Sequence, residues 1–264
     1  MSAAKINNLF DLKGKVALIT GGNGGIGLGY AMGIAKSGGD ICIWGRNEEK
    51  NEQALKLLRA TGIKAEAFIC DVSNEKNVNE SFEKTLKTFG RVDGCFANAG
   101  VIGQDSSFID RPFNDWKKLM SINVDGVFLT LQVAARHMVE RAKNGDAFGR
   151  LVTTSSTASR MGAARNEHYG ASKSAVNGLS KALAVELARY KITSNTILPG
   201  WFESEMTQKA VENAKFNERV ISRVPLRRWG NPDEFQGIAA YLMSDASSYH
   251  TGDEILIDGG FTQF

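Results

Sequence analysis

The chain has 264 residues, 42% of them hydrophobic and 23% charged, with a formal net charge of +3. That composition is ordinary for a folded globular protein and lies far from the low-hydrophobicity, high-charge regime of disorder. Lys and Arg are interleaved with Asp and Glu, so no basic stripe argues for nucleic acid as a partner.

Residues 1–15, MSAAKINNLFDLKGK, hold no long apolar core of the signal-peptide kind. No later run approaches the roughly 18 apolar residues of a membrane span, so the reading is a cytoplasmic protein without membrane partners. Cys42, Cys70 and Cys95 are odd in number and lack metal-ligand spacing, which predicts buried, reduced thiols and no metal site.

In chain order, short apolar runs alternate with helical patterns: KVALIT (15–20), DICIW (40–44), AEAFIC (65–70), VDGCFA (92–97), GRLVTTS (149–155), ITSNTIL (192–198) and EILI (254–257). Seven such strands with crossover helices predict a parallel sheet, and their near-continuous apolarity suits strands covered on both faces. The expected fold is therefore α/β, a doubly wound seven-stranded sheet in a three-layer sandwich. Gly38 and Gly39 end the first helix, and Asn231, Pro232, Asp233 and Glu234 read as cap, first-turn proline and acidic first turn of the last one. Only four prolines, no Ser/Gly tract and no repeat predict a single domain over 1–264. The stretch 200–225 lacks a clear strand, is rich in Trp201, Phe202, Met206 and charged residues, and is the candidate flap.

Behind the first strand stands TGGNGGIG, with Gly21, Gly25 and Gly27 at the turn into a helix that begins near Ile26. Glycines let the backbone turn tightly and approach a pyrophosphate, while the free N–H groups of a helix N-terminus attract its charge. Such a turn is a weak signal alone and a stronger one between a strand and a helix. Asn98, Ala99 and Gly100 end the fourth run, where small residues allow the backbone to lie against an adenosine ribose. Asp71, at the end of the third, is placed to accept from an adenine amino group. Each of these also reads as a turn or cap residue; together with the glycine loop they describe a dinucleotide cleft.

Further along, YGASK puts Tyr169 and Lys173 four apart, on one face of a helix. A free tyrosine titrates near ~10, so it is a poor base at neutral pH; a nearby ammonium favours the phenolate, and a shift of roughly three units represents about 4 kcal/mol. The pair alone also fits a surface tyrosine beside a solvated lysine. Ser156, thirteen residues upstream of Tyr169, supplies a hydroxyl for the same substrate oxygen. Asn123, in INVDGVF, is a helix-unfavourable residue in an apolar run, which a side-chain or backbone role in holding water beside Lys173 would explain.

From Leu12 to Gly260 the chain resembles the short-chain dehydrogenase/reductase family in its compact form, through TGGNGGIG, CDV, ANAG, the INV asparagine, Ser156, YGASK, the PG of ILPGWFES and TGDEILIDGG. It departs where Ala97 replaces a frequent asparagine and where Ser204 replaces a frequent threonine, though serine keeps the hydroxyl. The resemblance implies an oxidoreductase that interconverts a ketone and a secondary alcohol with a nicotinamide cofactor. It makes Tyr169 the general acid or base, Ser156 the group that orients the carbonyl, and Lys173 the ribose ligand that lowers the tyrosine pKa. Asn123 would hold the relay water. By the same resemblance Asn23, Val72, Pro199, Gly200, the backbone near Phe202, and Ser204 join the cofactor site.

After the second strand, WGRNEEK offers no carboxylate at Gly45 to bind a ribose 2′-hydroxyl, whereas Arg46 is available for a 2′-phosphate. NADP(H) is therefore expected over NAD(H), unless Arg46 pairs with Glu48 or Glu49. Arg160, Arg165, Glu167 and His168 in the loop 157–168 suggest a polar, sugar-like or carboxylated substrate, or else a solvated loop. The nearest general patterns are sugar-acid and polyol dehydrogenases and 3-oxoacyl carrier-protein reductases, with Arg136 and Arg141 as contacts for an acidic carrier in the second case. A catalytically silent dinucleotide-binding sensor is the alternative of another class. The stretches 113–142 and 169–190 resemble the long helices that pair in this family, which implies a homotetramer.

Overall fold

A computed structural model describes residues 9–263. Part of the amino-terminal stretch read above, residues 1–8, lies outside them. Seven parallel strands form one sheet in the order β3-β2-β1-β4-β5-β6-β7. They are β1 (Val16–Thr20), β2 (Asp40–Trp44), β3 (Ala65–Phe68), β4 (Gly94–Ala97), β5 (Gly149–Thr154), β6 (Ile192–Pro199) and β7 (Glu254–Ile257). All seven expected strands are present. β3 stops two residues early, Ile69 and Cys70 standing outside the ladder at the sheet's carboxyl edge, and β4 starts late, the Val92 N–H turning to His137 Nε2 at 3.2 Å.

The helices between them are α1 (Gly25–Lys36), α2 (Glu48–Arg59), α3 (Glu75–Phe89), α4 (Phe113–Met120), α5 (Gly126–Lys143), α6 (Glu167–Leu187), α7 (Gln208–Glu212), α8 (Ala214–Arg223) and α9 (Gln236–Met243). Because strand side chains alternate between faces, each central strand supplies two cores. Ala17, Ile19, Ile41, Ile43 and Phe96 pack with α1, α2 and α9, through Tyr30, Ile34, Leu55, Leu58 and Leu242. Leu18, Cys42, Trp44, Cys95 and Leu151 pack instead with α3, α5 and α6, through Phe82, Leu131, Met138 and Val176. A strand apolar on one face only could not do this, which is why the runs read as continuously hydrophobic.

The expected capping box is formed at Asn231 and Glu234, and it opens a short 3₁₀ turn, Pro232–Phe235, ahead of α9. The three cysteines are free and buried, and burial pushes the Cys42 thiol up to about 12. Among the described residues no helix is long and apolar enough to cross a membrane.

Strand order reverses between β1 and β4, so the connections leaving their carboxyl ends run apart in opposite directions along the sheet. In open α/β sheets that divergence is where ligands bind.

Candidate active site

A cleft of about 220 Å³ opens at this reversal. Gly21, Asn23, Arg46, Asp71, Val72, Ala99 and Gly100, all expected at the cofactor, line it. The glycine loop above it is built for close approach. A Cβ at Gly27 would lie closer than 3.0 Å to the Gly21 carbonyl and to Asn98 Nδ2. The following helix α1 has Gly24 at its cap, no side-chain cap bond and no acidic residue in its first turn. Its first N–H groups are thus left for an anion, the arrangement a pyrophosphate requires.

Asn98 contributes differently from expectation. Its Nδ2 donates to the Thr20 carbonyl at 3.0 Å, while Thr20 Oγ1 accepts from the N–H groups of Asn98 and Ala99, each at 3.0 Å. The asparagine therefore pins β4 to the glycine loop. Asp71 Oδ1 accepts from Ser73 N and Oγ, which holds its carboxyl below the ordinary range. Arg46 is exposed at the rim and forms no ion pair with Glu48 or Glu49.

The four proposed reaction residues come from three elements. Tyr169 and Lys173 face each other one turn apart on α6, with the lysine Nζ 5.6 Å from the tyrosine ring centroid. Lys173 Nζ donates to the Thr154 carbonyl at the end of β5 at 2.8 Å, and Ser155 Oγ donates to the Lys173 carbonyl at 3.0 Å. Ser156 follows β5, caps a 3₁₀ turn by accepting from Ala158 N at 3.1 Å, and reaches the Tyr169 hydroxyl. Asn123 sits fully buried in a π-helical turn, Ser121–Asp125, between α4 and α5. Gly100 is the point where Asn123 and Lys173 meet the cleft: a Cβ there would stand 3.2 Å from Asn123 Oδ1 and 3.4 Å from Lys173 Nζ.

Two features bear on the expected roles. The phenol of Tyr169 lies above its usual value, because burial outweighs the hydrogen bond from Ser156. Burial also lowers Lys173, to about 8, and its amine donates to the Thr154 carbonyl. The side chain of Asn123 is not free to hold water. Its Oδ1 accepts from Val101 N at 2.8 Å, and its Nδ2 donates to the Val101 carbonyl at 2.8 Å and to Ser172 Oγ at 3.1 Å. The backbone role expected of Asn123 as the alternative is untouched by these bonds.

The substrate side departs further. Arg160 pairs with Glu254 at 3.0 Å and Arg165 with Asp105 at 2.7 Å, so neither is an uncommitted cation. Arg141 bonds Asp93, Asp146 and the Val92 carbonyl, which removes it as a carrier-protein contact. The Phe202 ring is buried 4.5 Å from Phe235 and does not cover a substrate. Trp201 stacks edge-on with Phe216, Trp229 and Phe261, tying the stretch 200–225 to the carboxyl-terminal turn through α8. Ser204 lies beside Gly25, 3.5 Å from a Cβ built there, and so closes the flap's start onto the glycine loop.

Sequence reasoning missed Arg111. Its side chain is 5% exposed and donates to the carbonyls of Gln104, Ser106 and Arg165 and to His168 Nε2. Arginine cannot accept, so His168 Nε2 is the acceptor and the ring is neutral, in keeping with burial and Arg111 lowering its pKa. Arg111 thus fastens the loop after β4 to the residue that precedes Tyr169. No local pattern announces it.

A glycine loop over an uncapped helix and a Tyr–Lys–Ser group at one cleft define a dinucleotide-dependent oxidoreductase. Comparison with known proteins bears this out: the family model described as enoyl-(acyl carrier protein) reductase matches residues 21–262. The chain belongs to the short-chain dehydrogenase/reductase family. It is 37% identical to a 5-keto-D-gluconate 5-reductase of Escherichia coli over 255 residues, 97% of this chain and 98% of that one. It is 36% identical to a sorbose reductase of Schizosaccharomyces pombe, covering 97% and 99%. The crystal structure of a gluconate 5-dehydrogenase from Burkholderia cenocepacia in complex with NADP and tartrate superimposes with a TM-score of 0.90 at 35% identity, covering 97% and 98%. The protein is an oxidoreductase that interconverts ketones and secondary alcohols.

Proposed function

We propose that the chain reduces keto-sugars or their acids to the corresponding polyols with NADP(H), and runs the reverse oxidation. The observation that carries the chemistry is Tyr169 one turn from Lys173 and beside Ser156, with Lys173 Nζ and Asn123 meeting at Gly100 on the cleft wall. When bound, the nicotinamide supplies the hydride. Ser156 and Tyr169 hold the substrate oxygen between two hydroxyls, and Tyr169 delivers its proton to that oxygen as the alcohol forms. A phenol raised by burial suits the donor role in reduction; in oxidation it needs the positive charge of the oxidised ring and the Lys173 ammonium to ionise. Lys173 spends one of its three donors on Thr154 and keeps two for the ribose hydroxyls.

The cofactor residues extend along the carboxyl edge. Gly21, Asn23, Gly25, Ile26 and Gly27 cradle the pyrophosphate, Asp71 and Val72 border the adenine, and Pro199, Gly200, the Phe202 backbone and Ser204 serve the nicotinamide end. NADP(H) rests on Arg46 at the cleft rim, which pairs with neither Glu48 nor Glu49; Lys50 beside it is committed to Glu205. Residues 1–264 read as one catalytic domain, supported by the single sheet. A homotetramer is supported by Phe128 of α5 and Val185 of α6, which stand 45% and 83% exposed.

The sugar class is supported by the activities of the relatives, which are keto-sugar and sugar-acid reductases and dehydrogenases. The test is a panel of ketoses, keto-sugar acids and 3-oxoacyl thioesters with NADPH and NADH, read by oxidation of the cofactor. Turnover of a ketose or keto-acid with NADPH is expected; turnover confined to thioesters overturns the assignment.

A further inference from the structure

Helix α2 buries Asn51, Ala54, Leu55 and Leu58, the stripe of an amphipathic helix with an amide at its first position. An amide on an apolar face is costly unless both its ends are bonded. Here both are. Asn51 Nδ2 donates to the Gly45 carbonyl at 3.1 Å, and Asn51 Oδ1 accepts from Asn23 Nδ2 at 2.7 Å. The first bond can be made only by the nitrogen, so the direction of the second is forced. Asn51 thereby adds a side-chain tie between the end of β2 and the glycine loop, beside the backbone bond from the Gly21 N–H to the Trp44 carbonyl at 2.7 Å.

The same amides occupy the space beside residue 45. A Cβ at Gly45 would lie closer than 3.0 Å to both Asn23 Nδ2 and Asn51 Oδ1. Any side chain there, acidic or not, meets the lock before it meets a nucleotide. Gly45 in turn sets the direction of Arg46, the next residue and the rim's free cation.

We propose that Asn51 is the residue that positions the nucleotide-discriminating end of the cleft: its amide aligns Asn23 and Gly45, keeps position 45 free of a side chain, and aims Arg46 at a 2′-phosphate. This rests on the NADP(H) reading for its last element and stands without it for the first two. It also means that a carboxylate at position 45 acts on cofactor choice by displacing the lock as well as by charge.

The experiment measures binding of adenosine 2′,5′-bisphosphate and adenosine 5′-monophosphate to the full chain by calorimetry, with a thermal melt on each sample. Gly45→Ala adds a methyl and no charge; it is expected to weaken both nucleotides about tenfold, the effect of losing one to two hydrogen bonds. Gly45→Ala combined with Asn51→Ala is expected to recover the affinity for adenosine 5′-monophosphate to within about threefold of wild type, because Asn23 is no longer tethered against the new methyl, while the preference for the bisphosphate stays lowered. Asn51→Leu keeps the bulk and removes the amide; it is expected to lower the preference for the bisphosphate about fivefold or more. Should Gly45→Ala fail to fold, Asn51→Leu alone decides. The proposal is overturned if Gly45→Ala binds as wild type does, if the double variant is no better than the single, or if Asn51→Leu leaves the preference unchanged. A wild-type preference near one contradicts the NADP(H) reading instead, and leaves the Gly45→Ala rescue to decide whether Asn51 fills the site.

Discussion

The two halves of the sheet's carboxyl edge are built from different materials. Around β1 to β3 the site is made of backbone and short side chains: the glycine loop, Thr20, Asn98 and the Asn23–Asn51–Gly45 bridge, all set on strand ends or helix starts. Around β4 to β7 it is made of loops held by long side chains, such as Arg111 across 104–106, 165 and 168, and Trp201 within its aromatic group. On the proposed reading, the first half meets a pyrophosphate and nucleoside common to every nicotinamide cofactor. The second must fit whichever ketone the protein serves, so its shape is delegated to parts that can be exchanged without disturbing the sheet.

Substitutions break that contrast in graded ways. Tyr169→Phe removes only the ionisable oxygen and is expected to lower kcat by roughly 10²- to 10⁴-fold with NADPH affinity nearly unchanged. Steady-state kinetics and cofactor titration on one sample check it; a variant retaining more than about a tenth of wild-type turnover would show that another group donates the proton.

Arg46→Ala acts wholly in the nucleotide half. A bond to a charged group is worth about 1.5 to 3 kcal/mol, so NADPH affinity is expected to fall roughly 10- to 150-fold while NADH is little affected. Equal loss for both cofactors would make Arg46 a solvated surface residue.

Arg111→Ala acts in the substrate half, through His168. It is expected to raise the KM for substrate and lower kcat, each by about tenfold, with the affinity for NADPH kept, since several bonds to loop carbonyls are lost. Arg111→Lys, which keeps charge but not the fork, should recover little. A change confined to the melting temperature would reduce Arg111 to a stabilising residue.

The smallest effect concerns Lys173 without ligand. Its amine loses its proton near 8 in the folded protein, whereas the unfolded chain keeps it to 10.5. Across that window the unfolded state binds more protons, so this residue's contribution to stability rises with pH. The difference in melting temperature between wild type and Lys173→Met is therefore expected to shift in favour of wild type from pH 7 to pH 10. A flat difference would place the lysine in contact with solvent.

The same contrast governs what the sequence disclosed. All seven strands were legible because burial on two faces leaves an apolar run that needs no knowledge of partners. The glycine loop and the Tyr169–Lys173 pair were legible because their geometry is local. Asn51 and Arg111 were not: their partners lie 28 and 57 residues away, and nothing in a helical or loop pattern marks an amide or guanidinium that will be buried. Arg160 and Arg165 misled for the same reason, since Glu254 and Asp105, which neutralise them, are also distant in the chain. Asn123 announced itself as an oddity in an apolar run, but its side chain closes the loop at Val101 and leaves only its backbone for water.

The central claim, hydride transfer to a ketone carbon with Tyr169 as proton donor, is tested most directly with NADPH deuterated at the transferred position and 5-keto-D-gluconate or L-sorbose as acceptor. The product is analysed by NMR for wild type and Tyr169→Phe. Deuterium on the new carbinol carbon in the wild-type product, and none formed by a Tyr169→Phe variant that still binds NADPH, is the predicted result. Product without deuterium at that carbon, or label delivered as fast by the variant, would contradict it.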